Sequence, residues 1–360
     1  MQSSQQHIIT RVSEWLVADK PAWLCTILKT WGSSPRPVGA MMACTLDGDL
    51  VGSISGGCIE EDFLQQLREG ALKQQFDKEQ KPFTVKYGIT SEEQARLKLP
   101  CGGQLHVLLE FITATPPNKE VFQQLADSLA KHTPVCRLVN LRTGEVSIAT
   151  NTFASATSTT PATDARTKTS VATDTKKKVS PATANASADA EAVVIAGEVM
   201  THSLSPMYQL LLLGAGDVAR YVAELALALE YNVTLCDPRP NYLDNWEVPA
   251  VEITSRLPDD VVRERFNDAY SGIIALAHDP RVDDMALMEA LKTEAFYVGA
   301  MGSERTSAGR RQRLPELGLT NTEIARLHAP IGFQINSKTP AEIAIAIMAE
   351  VTAARHATSA

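Results

Sequence analysis

No stretch of this sequence approaches the ~18 consecutive apolar residues that a membrane-crossing helix needs; the longest apolar runs lie around Leu210–Leu213 and Ile273–Ala277. Nor is there a signal-peptide core, because Arg11, Glu14, Asp19 and Lys20 interrupt the first twenty residues, which read as an amphipathic helix. The expected compartment is the cytoplasm, with no membrane partner. Cysteine is scarce: six residues, at 25, 44, 58, 101, 136 and 236, are too few and too scattered to staple a chain of 360 residues. They are read as thiols. Basic residues are also short, at 34 Lys and Arg against 42 Asp and Glu, and they form no basic face that could neutralise a phosphate backbone. Nucleic acid is therefore not an expected partner.

What is present is ordinary globular composition, 44% hydrophobic, and a length that suggests two domains. Between them, residues 151–190 draw 25 of 40 positions from Ala, Ser and Thr, with Phe153 the only aromatic. Such a segment buries too little apolar area to offset its ordering entropy, so 151–195 reads as a disordered low-complexity linker. The expected domains are thus 1–150 and 196–360. Most of the negative charge falls on the second, where residues 191–360 hold 14 basic against 23 acidic side chains.

The first domain reads as mixed α/β. A helix over 7–18 precedes strands at Ala22–Thr30, Ala40–Thr45 and Leu50–Ile54, a helix over Ile59–Gly70, and strands at Phe83–Tyr87 and Gln104–Phe111. The second alternates strands at Gln209–Leu213, Asn232–Cys236, Ile273–Ala277 and Phe296–Val298 with helices. That alternation predicts a Rossmann-like, doubly wound parallel sheet.

Gly214-x-Gly216-x-x-Ala219 stands between a strand and a helix, with Asp237 closing the second strand. The glycines suit a tight turn that exposes a helix N-terminus to a phosphate, and Asp237 could bind a ribose hydroxyl, so NAD(P) is one expected ligand. Asp217 adds an opposing charge. A second strand-to-glycine turn at Tyr297–Ser303 precedes a helix with Arg305, Arg310, Arg311 and Arg313; Arg305 could clamp an anion, and the other three are expected on a solvated face. Cys25, Cys44, Cys136 and Cys236 sit in apolar runs and read as inert core thiols. Cys58 and Cys101 differ, each adjoining a glycine pair, in Gly56-Gly57-Cys58 and Cys101-Gly102-Gly103. There the backbone is bare enough to approach a bound group, and Cys58 should start a helix, where a thiolate is favoured against the counter-effect of Glu60, Glu61 and Asp62. A thiolate suits a soft metal or sulfur, although no tetrahedral zinc spacing occurs.

Taken with Gly32-Ser33-Ser34-Pro35-Arg36-Pro37-Val38-Gly39, Ser53–Glu60 and Leu327–Thr339, these motifs make the sequence resemble the XdhC/CoxI family across both halves. The resemblance implies an accessory chaperone that binds molybdenum cofactor, protects it during sulfuration and inserts it into xanthine dehydrogenase or a related molybdenum hydroxylase. It implies as partners the apo-hydroxylase, a cysteine desulfurase and a second copy in a homodimer. Under it Cys58 or Cys101 contacts the molybdenum or its sulfur, and Arg36 with the nearby glycine turns holds the pterin phosphate. Two other readings stay open: an NAD(P)-dependent oxidoreductase with His328 handling the proton, and a redox sensor pairing Cys58 with Cys101.

Overall fold

The computed structural model describes residues 4–31, 36–89, 104–149 and 192–358. The stretch 150–191, and with it nearly all of the expected linker, lies outside the described residues, as do Cys101, Gly102 and Gly103. Among the described residues no helix is long and apolar enough to cross a membrane.

The first helix, α1 (Gln5–Val17), starts where the Ser4 hydroxyl accepts the His7 N–H, and it buries Ile8, Ile9, Val12, Trp15 and Leu16 on one face. It covers one side of a five-stranded antiparallel sheet, ordered β3-β2-β1-β5-β4, made of β1 (Ala22–Trp31), β2 (Met41–Thr45), β3 (Leu50–Gly52), β4 (Phe83–Tyr87) and β5 (Gln104–Ile112). The period of two along β1 divides the core. Ala22 and Leu24 meet α1 and α4 (Pro116–Ala130), while Trp23, Cys25 and Ile27 meet α2 (Cys58–Arg68) and α3 (Ala71–Glu79).

A second, four-stranded sheet joins both sides of the 150–191 stretch. The hairpin β6 (Val135–Asn140) and β7 (Val146–Ala149) pairs through β6 with β9 (Val199–Leu204), which pairs with β8 (Val193–Ala196), giving the order β7-β6-β9-β8. Val193, Met200 and Leu204 enter the same core as Ile8 and Val139. Residues 193–204 thus pack with the first half, although the sequence places 193–195 in the linker and 196–204 in the second domain. These strands are short and flanked by weakly patterned residues, and pairing across 50 or more positions leaves no local signal.

The two sheets are tied by a buried ion pair. The Arg137 guanidinium on β6 donates to both Glu110 carboxylate oxygens on β5 at 2.8–2.9 Å and to the Thr26 hydroxyl at 3.3 Å. Both charged side chains are inaccessible to solvent, and beside them fully buried His202 is held neutral, its pKa pushed down to about 3 by burial and by Arg137.

The second half is a six-stranded parallel sheet ordered β12-β11-β10-β13-β14-β15, from β10 (Gln209–Leu213), β11 (Asn232–Cys236), β12 (Glu252–Thr254), β13 (Ser271–Ala275), β14 (Tyr297–Ala300) and β15 (Leu327–His328). By position within the sheet this is 3-2-1-4-5-6, the Rossmann arrangement expected from the sequence. All five residues of β10 are buried. Leu210 and Leu212 face α5 (Asp217–Ala228) and α11 (Pro340–Thr358), while Leu211 and Leu213 face α7 (Pro258–Arg265) and α8 (Pro280–Ala290), which explains the run of four leucines.

Glu110→Ala leaves the Arg137 charge buried without its partner, and we expect a loss of about 3–5 kcal/mol in urea unfolding. The apolar pair Glu110→Leu with Arg137→Met should recover most of it; equal losses in the single and double variants would contradict the assignment.

Candidate functional site

Between β10 and β13 the strand order reverses, and the loops leaving their carboxyl ends part to form a crevice of about 610 Å³. Open parallel sheets bind ligands at this topological position. Gly214 makes the approach of the two loops feasible: its φ is +95°, and a Cβ there would stand 2.4 Å from Ala277 Cα. Walls come from Val218 on α5, His278 after β13, and Met301, Gly302 and Ser303 after β14. His278, exposed and in a left-handed conformation at φ +55°, is a lining residue that no sequence motif marks.

The crevice loops are braced from beneath by buried charge. Arg310, on α9 (Glu304–Arg313), donates to Asp284 at 2.8 Å, to Asp283 at 3.1 Å and to the Met301 carbonyl at 3.3 Å. Asp283 accepts the Ala277 N–H at 3.2 Å, so one network fixes the loop after β13 and the loop after β14. Burial pushes the Asp283 carboxyl up to about 6 against the pull of Arg310. The solvated face expected for Arg310, Arg311 and Arg313 is corrected here. Arg310 is buried, Arg313 binds Asp284 at 2.7 Å, and Arg311 donates to the Ile324, Leu327 and Ala329 carbonyls. Their partners lie up to 29 residues away, beyond the reach of helical periodicity. Arg305, in contrast, is exposed and makes no ion pair among the described residues.

Asp237 is fully buried and its carboxylate accepts the Ala215 N–H at 3.0 Å and a two-nitrogen clasp from Arg239 at 2.8 Å. These bonds hold its pKa below the usual carboxylate range despite burial. In this arrangement Asp237 closes the Gly214–Gly216 turn and anchors Arg239, which lies 3.9 Å over the Tyr242 ring. The oxygens expected to meet a ribose are therefore engaged within the protein. His328 is likewise engaged: its Nδ1 lies 3.0 Å from Glu350, its ring stacks on Tyr297 at 4.5 Å, and Glu350 also accepts from the Tyr297 hydroxyl and the Gly332 N–H.

In the first half, the turn before Cys58 is organised around Glu60. Its carboxylate accepts the Ile54, Ser55 and Gly57 N–H groups at 2.8 Å, the Gly56 N–H at 3.2 Å, and the Ser53 and Ser55 hydroxyls. The Gly56 and Gly57 N–H groups thus point inward, while a Cβ on either would meet nothing within 4 Å. In the sequence Glu60 reads only as a charge on the helix dipole. Its place at the third helical position, the capping-box residue, is the signal that could have found it. Cys58 opens α2. Arg36 stands elsewhere, lining a cleft with Tyr208 and Arg355. Tyr208 precedes β10 whereas Gly214 follows it, so roughly 16 Å of strand separates that cleft from the Gly214 crevice. Cys25, Cys44, Cys136 and Cys236 are buried free thiols, and burial pushes Cys44 and Cys236 up to about 12. Among the described residues no three His, Cys, Asp or Glu side chains form a metal-binding group.

The Glu60 carboxyl is held down to about 2, from 4.5, by hydrogen bonds from Ser55 and Ser53 that outweigh burial. A lowered folded pKa stabilises the fold above pH 4.5, and that contribution is lost as pH falls toward 2, about 3 kcal/mol in all. Glu60→Gln should remove it at pH 7 and change little near pH 2, as read from urea midpoints at both; a uniform offset at the two pH values would refute the reading.

Two family models match the chain, together over more than half of its length: the XdhC and CoxI family over residues 15–88 and the XdhC Rossmann domain over 210–351. The molybdenum cofactor insertion chaperone PaoD of Escherichia coli is 25% identical over 95% of this chain and 86% of its own length. A Bacillus subtilis protein described as a probable subunit of xanthine dehydrogenase is 24% identical over 96% of this chain and 97% of its own. The crystal structure of a xanthine dehydrogenase from Bacillus halodurans superposes with a TM-score of 0.68 at 25% identity, covering 97% of this chain and 96% of that one. With both halves matched in order and the Rossmann sheet present, the chain belongs to the XdhC and CoxI family.

Proposed function

We propose that this protein is a molybdenum-cofactor chaperone, which holds the cofactor, shields it while its terminal sulfur is added, and inserts it into an apo molybdenum hydroxylase of the xanthine dehydrogenase type. The observation that carries this reading is the match to the Escherichia coli insertion chaperone over 95% of the chain, spanning both halves. The cofactor is cargo, so the protein need bind and release it without turnover. Binding must then rest on contacts that can be undone.

The first half supplies the soft ligand in this reading. Cys58 opens α2 behind a turn that Glu60 keeps rigid, and with Cys101 it is the thiol assigned to molybdenum or its sulfur. Gly56 and Gly57 leave open space in that turn, and Gly102 and Gly103 adjoin Cys101 in the sequence. Since the Gly56 and Gly57 N–H groups are spent on Glu60, they add no phosphate contact. Arg36 is the cation of this half assigned to the pterin phosphate, and the Rossmann half supplies a further crevice. A cysteine desulfurase, the apo-hydroxylase and a second copy of the chain are the proposed partners, in the cytoplasm.

An NAD(P)-dependent oxidoreductase is the weaker reading, because Asp237 is engaged by Ala215 and Arg239 and His328 by Glu350.

Protein purified from cells that make the cofactor should carry molybdenum and pterin near one per chain, measured by metal analysis and pterin fluorescence. Cys58→Ala with Cys101→Ala should lower that content severalfold. Wild-type protein free of pterin would defeat the chaperone reading, and full retention in the double variant would defeat the thiolate.

A further inference from the structure

We propose that the Rossmann crevice contains a phosphomonoester-binding subsite, and that it is built by the turn before α9 and not by the Gly214–Gly216 turn. Four consecutive backbone N–H groups, those of Gly302, Ser303, Glu304 and Arg305, donate to no acceptor among the described residues, while the next, of Thr306, is capped by the Ser303 hydroxyl at 3.1 Å. Helix α9 is ten residues long, so its N-terminal partial charge reinforces these donors. Gly302 and Ser303 line the crevice directly.

A separate observation points to a ligand at the same place. The Ser307 side chain is 2% exposed, yet its hydroxyl has no hydrogen-bond partner among the described residues. A buried hydroxyl left unsatisfied costs about 1–3 kcal/mol, which a bound acceptor would relieve. A Cβ at Gly302 would sit 3.8 Å from that oxygen and 3.3 Å from Thr306 Cβ, so the missing side chain leaves the space beside Ser307 open. Arg305, exposed and outside every ion pair of the described residues, brings the charge; Glu304 is the opposing charge on that turn.

The other glycine turn likewise leaves the Gly216, Asp217, Val218 and Ala219 N–H groups without acceptors among the described residues, and it differs in its charge and its neighbours. Asp217 begins α5, and the Asp237 carboxylate already takes the Ala215 N–H. Arg239, clasped by Asp237 and lying over Tyr242, fixes the end of β11, where the second half of a dinucleotide would extend. The organic part of the ligand instead meets Val218, Met301, Ile331 and Ile343, an apolar wall suited to a planar ring. The subsite thus selects a monophosphate ester over a dinucleotide.

The inference stands apart from the cargo assignment, because it concerns phosphate whatever bears it. Calorimetry of the full chain with AMP, inorganic phosphate, adenosine and NAD tests it. AMP should bind, inorganic phosphate should compete, and adenosine and NAD should bind at least about tenfold more weakly. Arg305→Gln should weaken AMP about tenfold. Ser307→Ala should weaken it severalfold while leaving the melting temperature unchanged or higher, which a purely structural role for that hydroxyl would not do. Arg281→Gln removes an exposed cation on α8 outside the subsite and controls for general charge. Pterin content of the Arg305→Gln protein distinguishes the sources: a fall identifies the cargo phosphate as the ligand, and an unchanged content identifies a free nucleotide. The proposal is overturned if AMP does not bind at millimolar concentration, if adenosine binds as well as AMP, if Arg305→Gln and Ser307→Ala bind like wild type, or if Gly216→Asp abolishes binding that Arg305→Gln leaves intact.

Discussion

A guanidinium taken out of water must be paired on every side, and Arg310 meets that requirement by drawing three separate pieces of chain together. Its partners are two adjacent carboxylates at the start of α8 and the carbonyl of Met301, just past β14. One of those carboxylates in turn holds the loop leaving β13. The crevice at the switch point is therefore shaped by charges packed beneath its loops. Such a pair contributes little net stability compared with an apolar filling, but it fixes positions that dispersion forces alone would leave free to slide.

Three glycine-rich turns in this chain use the same backbone freedom for different ends. At Gly56–Gly57 the N–H groups converge on Glu60, so an internal carboxylate takes the position an external anion could occupy and makes the turn rigid. At Gly214 the missing side chain lets two crossing loops touch, and Asp237 takes the adjacent N–H. The turn at Gly302, like the Gly216–Ala219 start of α5, leaves a run of N–H groups without acceptors among the described residues. The chemistry open to a glycine turn is decided by which acceptor reaches it first, and here only the Gly56–Gly57 turn is satisfied from within.

Strands are legible in the sequence wherever local pattern suffices. Phe83–Tyr87, Gln209–Leu213 and Asn232–Cys236 fall where alternation or a short buried run puts them, and the Rossmann order follows from their spacing with the helices. Strands β8 and β9 are not legible, since their sheet reaches them through β6, across the 150–191 stretch, and closing such a loop depends on the sheet it completes. The arginines of α9 escape a local reading for a related reason: a helical wheel marks Arg310 as polar, yet its burial depends on Asp283 and Asp284, contributed by another helix.

By itself the sequence determined the two α/β halves, the parallel sheet and the family, because each rests on residues close together in the chain or on fixed motif order. Tertiary structure alone decided which polar groups remain available. Asp237 carries the chemistry expected of a binding residue and has that capacity filled by neighbours brought in by folding, while His328 has its Nδ1 engaged by Glu350. It also placed Arg36 in the cleft with Tyr208, at the other end of β10 from the Gly214 turn. A hydrogen bond is spent or free only in three dimensions, so the identity of a polar residue fixes what it can do, and its packing fixes whether it is still able to do it.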